Sequence, residues 1–284
     1  FKPEFENLLE WVDIIKVDFL STNAQDCRAI FQKVDSGRIK FLAEKVETRE
    51  VFEQARELGY YFFQGNFFAE PVIVAGRSLP AHKMNFLRLL QQVNRPDLDY
   101  NELEKIFKED VTLSYKLLRY INSAYFGFSN KIRSIRHALT LLGLFEAKKW
   151  LSLIALNSMG QDKSEEVVIS SLFRANLCEL LAPLVGLEKR APELFLMGLF
   201  SMLDALLDRP LDEVLAELPI AEDVKSALLG QQNILRDVYR LVVFYEKGDW
   251  EHVFKLVENL KSVEENLPEL FVKTLQRANR ILPA

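Results

Sequence analysis

Five residues in the first quarter of the chain have the types and spacing that phosphodiester chemistry requires. Lys16 and Asp18 stand two apart in the β-rich run Val12 to Phe19, so they share one face of a strand. Glu44 closes a second such run, Ile39 to Ala43, and Glu47 follows three residues later. Gln64 closes a third, Tyr60 to Phe63. In a parallel β/α arrangement functional side chains gather at the C-terminal strand ends. One cation, three carboxylates and an amide would then meet on a single rim. Carboxylates in such a set can hold a divalent metal, and the lysine can orient water or neutralise developing charge. Strand-end charges can also be merely solvated, and spacing alone leaves both readings open.

The elements that must position these residues alternate. A helical stretch near Ala24 to Lys33 separates the first two runs. Thr48 is placed to cap a helix with apolar positions Val51, Phe52, Ala55 and Leu58, and Gly59 to end it. Strand–helix–strand–helix–strand predicts parallel pairing with helical crossovers. Three parallel strands cannot cover both faces of their own sheet. Residues 1–75 therefore read as an α/β fragment, the last third of a larger barrel. Residues 76–80, with Gly76 and Pro80, read as a linker, and 81–284 as an all-α domain. There Asp99 with Glu102 forms a capping box, and Asp110 caps a helix whose Leu113, Leu117, Leu118 and Ile121 share a face. Ser134 opens another, stopped by Gly143. Further helices are expected near 144–158, 165–182, 193–207, 211–217, 222–229, 234–247, 250–261 (capped by Asp249) and 269–281.

Composition narrows the classes. The 284 residues carry a net charge of −5 with the two signs interspersed, which argues against a nucleic-acid footprint. Cys27 and Cys178 form neither a disulfide framework nor a Cys-x-x-Cys pair, which suits a reducing, cytoplasmic setting. No uncharged apolar run reaches the roughly 18–20 residues of a membrane helix. The chain opens at Phe1 without Met and reads as part of a longer protein.

Three motifs carry a family resemblance. Ile15-Lys16-Val17-Asp18 is similar to the Lys-hydrophobic-Asp motif of EAL domains, the barrel phosphodiesterases that act on cyclic di-GMP. Ala43-Glu44-Lys45-Val46-Glu47-Thr48 resembles their Ala-Glu-Gly-Val-Glu-Thr, and Gln64-Gly65-Asn66-Phe67 their Gln-Gly-Tyr-Phe. The resemblance implies the end of an EAL-type β/α barrel, with Lys16, Asp18, Glu44, Glu47 and Gln64 as remnants of a cyclic-dinucleotide pocket. It makes Glu44 a metal ligand if any is present. Lys45 and Asn66 depart from the pattern. The family's other metal ligands lie earlier in its motif order, upstream of Phe1, so this chain alone implies no cofactor. Magnesium or manganese enters only with an intact upstream half.

A second resemblance covers residues 78–284. The run from Asp110 to Gly127, with Asn122-Ser123-Ala124-Tyr125-Phe126-Gly127, resembles the signature of HDOD domains, and Ile132 to Ala138 continues it. These are helical relatives of the HD phosphohydrolases, and most are thought to be non-catalytic. Such hydrolases need a His-Asp pair. His82, His137 and His252 are the only histidines, and none precedes an Asp. Where relatives carry Gly-Leu-Leu-His-Asp, this chain reads Gly198-Leu199-Phe200-Ser201-Met202-Leu203-Asp204, and Ser and Met are poor ligands for hard metals.

Together the two resemblances imply a bacterial EAL–HDOD signal-transduction protein with a degenerate site, a protein-docking helical domain and signalling partners. Cyclic di-GMP is a candidate ligand. A phosphodiesterase completed by upstream residues and a nucleic-acid-binding regulator are the alternatives. Lys131, Arg133 and Arg136, with Lys148 and Lys149, form a basic cluster that reads as a partner or phosphate surface or as a solvated helix face. Phe126 and Phe128, either side of Gly127, read equally as partner contacts or as plugs of the helix ends.

Overall fold

The computed structural model describes residues 9–19, 21–22, 34, 38–65, 79–123, 125–128, 130–260, 263 and 266–281, the last six by backbone alone. The helix expected near 24–33, Cys27, the Asn66 to Pro71 half of the third motif and most of the expected linker lie outside these residues. The chain divides into two compact units, Phe1–Glu70 and Pro71–Ala284.

In the first unit β1 (Ile14–Asp18), β2 (Lys40–Glu44) and β3 (Phe62–Gln64) form a parallel sheet in that order. Each strand is offset by a residue or two from its β-rich run, and Gln64 closes β3. Strand alternation sends Val17, Phe41 and Ala43 to one face, where they pack with Val46, Ala55 and Tyr60. The other face leaves Ile14 and Phe62 exposed. Helix α1 (Arg49–Glu57) crosses from β2 to β3, capped by the Thr48 hydroxyl, which accepts from the Val51 amide at 3.3 Å.

The second unit is helical: α2 (Ala81–Val93), α3 (Tyr100–Glu109), α4 (Val111–Ile121), α5 (Ile135–Leu142), α6 (Leu144–Met159) and α7 (Glu165–Leu181) come first. Then follow α8 (Ala191–Phe200), α9 (Leu203–Leu207), α10 (Leu211–Ala216), α11 (Glu222–Leu228), α12 (Ile234–Lys247), α13 (Trp250–Asn259) and α14 (Leu267–Ile281). Sequence logic is visible in α4. Asp110 accepts from the amides of Thr112 and Leu113, and Leu113, Leu117 and Ile121 are buried one turn apart. Burial outweighs the cap: each such side chain contributes roughly 1.5–3 kcal/mol, the cap about 1 kcal/mol. These residues join Leu103, Phe107, Leu139 and Leu151 in one core.

The single helix expected over 193–207 is two. The Ser201 hydroxyl donates to the Gly198 carbonyl at 2.7 Å, and the chain turns there before α9. Gly198 has a further reason to be glycine. A Cβ there would lie 2.4 Å from the Arg174 carbonyl, so α7 and α8 meet backbone to backbone. Lys83 of α2 is buried and donates to the Leu206 carbonyl at 2.7 Å while pairing with Asp162 at 2.7 Å. That tie joins three segments distant in sequence.

Candidate functional site

The sheet register gathers the five strand-end residues. Asp18 lies opposite Glu44, and Glu44 opposite Gln64, so the three form one row across the C-terminal ends of β1, β2 and β3. Lys16 lies one step below on the same face. Its ammonium donates to Glu44 at 3.0 Å. Asp18 receives Lys45 at 2.6 Å and the Ser21 amide at 3.2 Å. Lys45 reaches it from a left-handed backbone, φ 59°, a conformation that favours glycine. The hydrogen bond that Lys45 donates to Asp18 raises the Lys45 pKa, and Glu44 and Glu47 add to the field that holds its proton. Glu47 and Gln64 are exposed. Two carboxylates of this row therefore each hold a lysine of the same chain. Among the described residues no three His, Cys, Asp or Glu side chains come together as a metal site.

The helical unit has its own charged centre, which sequence spacing did not expose. Arg174 of α7 is buried, and its Nε donates to Glu246 of α12 at 2.6 Å. Its Nη1 donates to Met202 Sδ at 2.9 Å and approaches Ser201 Oγ at 3.4 Å. A guanidinium thus contacts Ser201 and Met202, the two residues for which the HDOD resemblance implies His-Asp in relatives. Burial works against the Arg174 charge, but Glu246 outweighs it and the pKa stays raised. Burial pushes Asp204 and Tyr239 up, and the Cys178 thiol up to about 12, which makes it unreactive. Glu246 lies 72 residues from Arg174, so no motif spacing announces the pair.

The five-residue basic cluster separates in space. Arg136 donates to Asn101 at 2.7 Å and to Glu104 at 3.0 Å. Lys149 is bound by Glu179 at 2.7 Å. Lys148 donates to the Arg95 carbonyl at 3.0 Å, and burial lowers its pKa. Lys131 and Arg133 are exposed, and among the described residues neither has an ionic partner. They flank Ile132, which the Asn122 side chain grips twice: Asn122 Oδ1 accepts from the Ile132 amide at 2.7 Å, and Nδ2 donates to its carbonyl at 2.8 Å. The two phenylalanines differ in burial. Phe126 packs on the core, and Phe128, 43% exposed, stacks over it at 5.9 Å. Of the histidines, His82 and His137 are exposed, and His252 bonds Asp249 at 2.8 Å.

The HDOD domain profile matches residues 79–207. YuxH of Bacillus subtilis strain 168 is 35% identical over 289 aligned residues, which cover 99% of this chain and 70% of YuxH. The chain belongs to the HDOD-domain family. The cyclic di-GMP phosphodiesterase CdgJ of Vibrio cholerae serotype O1 is 35% identical over 275 residues, 95% of this chain and 64% of CdgJ. The chain thus spans about two thirds of the length of each relative. A crystal structure from Marinobacter aquaeolei VT8, of a protein assigned to signal transduction, superposes with a TM-score of 0.51 over 91% of this chain and 83% of its own. At 12% identity that likeness shows the fold alone. The HDOD match begins after the three-stranded sheet and takes in the Asn122 loop, Arg174 and the Ser201–Met202 turn. Among the described residues no helix is long and apolar enough to cross a membrane.

Proposed function

We propose that this chain is a non-catalytic signalling module of the EAL–HDOD kind. Its sheet is the end of an EAL-type barrel, and its HDOD domain docks protein partners in cyclic di-GMP signalling. The observation that carries this reading is the pairing at the strand ends. Asp18 and Glu44 are each engaged by a lysine, so a divalent cation would have to displace Lys45 or Lys16 before it could bind. Two-metal hydrolysis needs free carboxylates for both ions. In the helical unit, Arg174 rests on Ser201 and Met202, and a fixed guanidinium repels a metal ion there. One face of the sheet packs the core, and the other leaves Ile14 and Phe62 exposed beside the charged row, which supports a larger barrel, since parallel sheets are normally covered on both faces.

Calorimetric titration of the full-length protein with cyclic di-GMP tests the sensing part. Saturable binding weakened by Gln64→Ala is expected. No heat at high micromolar ligand would remove cyclic di-GMP from the account and leave docking standing.

The name of CdgJ favours a second reading, a cyclic di-GMP phosphodiesterase whose remaining ligands lie elsewhere in the whole protein. Magnesium- or manganese-dependent hydrolysis lost in Glu44→Ala would establish it.

A further inference from the structure

The loop that Asn122 closes carries an exposed surface with a consistent chemistry. Asn122 ends α4, and its two bonds to Ile132 bring residues 122 and 132 together, so residues 123, 125–128 and 130–131 belong to a closed excursion. Gly127, φ 61°, makes the turn at its tip. Tyr125 is 80% exposed and Phe128 43%. Beneath them an aromatic ladder runs into the core. Phe126 meets Tyr120 at 5.1 Å, Tyr120 meets Trp150 at 5.7 Å, and Trp150 meets the fully buried Phe107 at 5.9 Å. The tip is therefore a knob braced from below.

Cations flank its neck along the chain. Tyr115, Arg119 and Asn122 recur at i, i+4 and i+7, so they lie on one face of α4. Arg119 stands one turn from the neck at which Lys131 and Arg133 flank Ile132, and Lys116 lies beside Tyr115. Lys116, Arg119, Lys131 and Arg133 are all exposed, and among the described residues none makes an ion pair or hydrogen bond. Arg136, Lys108 and Arg95 of the same unit are, by contrast, paired. Glu146 of α6 is close enough to act on the Tyr120 hydroxyl but pairs with none of the four.

We propose that this knob and its cationic collar are the docking face of the HDOD domain, and that the partner offers an acidic segment with an apolar pocket. The inference rests on the docking reading above and names where docking occurs and what it recognises. Four unsatisfied cations on a chain of net charge −5 mark a local complement to acid rather than a general polyanion footprint. The ring geometry favours protein over single-stranded nucleic acid. Tyr125 and Tyr120 pack edge-on to Phe126, at 86° and 89°, and Phe128 covers one face of it at 4°. Only Tyr125 and Phe128 of these rings are open to solvent, whereas a base-stacking platform presents a succession of ring faces to successive bases. A braced aromatic knob flanked by arginine has the composition of a protein hot spot.

The test is photocrosslinking in the protein's own cells, with p-benzoylphenylalanine at position 125 of the full-length protein and, separately, at the exposed position 254. The expected result is an adduct from position 125 to a different protein, at a segment of net negative charge, that falls about tenfold in Arg119→Glu/Arg133→Glu. Unchanged circular dichroism would show that this variant folds. Adducts from position 254 alone would overturn the surface and leave docking intact. A nuclease-sensitive adduct, an adduct to a second copy of this chain, or a partner segment without acid would overturn the proposed partner. No protein adduct from either position would remove the docking reading as well.

Discussion

The two units place lysine or arginine against carboxylate in different solvents. At the sheet end, Lys16–Glu44 and Lys45–Asp18 have half-exposed cations, and water and salt screen them. In the helical unit, Arg174–Glu246 is shielded at both partners, and its cation is almost wholly buried. The same chemistry therefore does different work. At the surface it occupies carboxylates and contributes little to stability, so it can change without unfolding the sheet. In the interior it fixes α7, α12 and the Ser201–Met202 turn around one guanidinium, and removal of either partner strands a charge.

The largest expected effect breaks the buried pair. Arg174→Met leaves Glu246 charged and unpartnered, and urea denaturation should show a loss of about 3–5 kcal/mol. Arg174→Met combined with Glu246→Leu should recover most of it. Equal losses in the single and double variants would mean that packing, not charge, holds the centre. Gly198→Ala, which forces a Cβ into the α7 backbone, should cost about 1–3 kcal/mol in the same assay. Asn122→Ala opens the neck of the loop and leaves both main-chain groups of buried Ile132 without their partner, at a cost of about 1–3 kcal/mol.

Asp204 sharpens the comparison through pH. Burial raises its folded pKa above the unfolded value, against the weaker pull of the Ala205 amide, its own amide and Arg174. Between those two values the folded state binds more protons than the unfolded state, so Asp204 lowers stability as pH rises through that window. Asp204→Asn, whose amide oxygen can still accept from Ala205, should raise stability at neutral pH and leave it unchanged below the carboxylate range. A variant less stable at neutral pH would contradict this sign. The smallest effect belongs to the sheet. Lys45→Gly removes an exposed ion pair and relieves a left-handed lysine, so the denaturation midpoint should not fall.

What could be read in the sequence follows from how local each signal is. Thr48, Asp99, Asp110, Ser134 and Asp249 act as caps through amides two or three residues away, and each was legible. The row Asp18–Glu44–Gln64 was legible because parallel strands align their C-terminal ends. Long-range partners were not. Arg136, Lys148 and Lys149 look like one basic cluster with Lys131 and Arg133, yet each is taken by a group 30 or more residues distant. Lys83 in the core and the Arg174 centre escaped for the same reason, and the Asn122 neck because its partners are main-chain groups of Ile132, which no side-chain pattern marks. The break in the helix expected over 193–207 depends on a single serine hydroxyl bonding back to Gly198, in a run whose apolar periodicity does not change.

Hydrolysis of cyclic di-GMP by the full-length protein with manganese tests the central claim most directly. Asp18 and Glu44 held by their own lysines predict no product above the protein-free rate, in the wild type and in Glu44→Ala alike. Metal-dependent turnover in the wild type that disappears in Glu44→Ala would contradict the account and make this chain part of an enzyme.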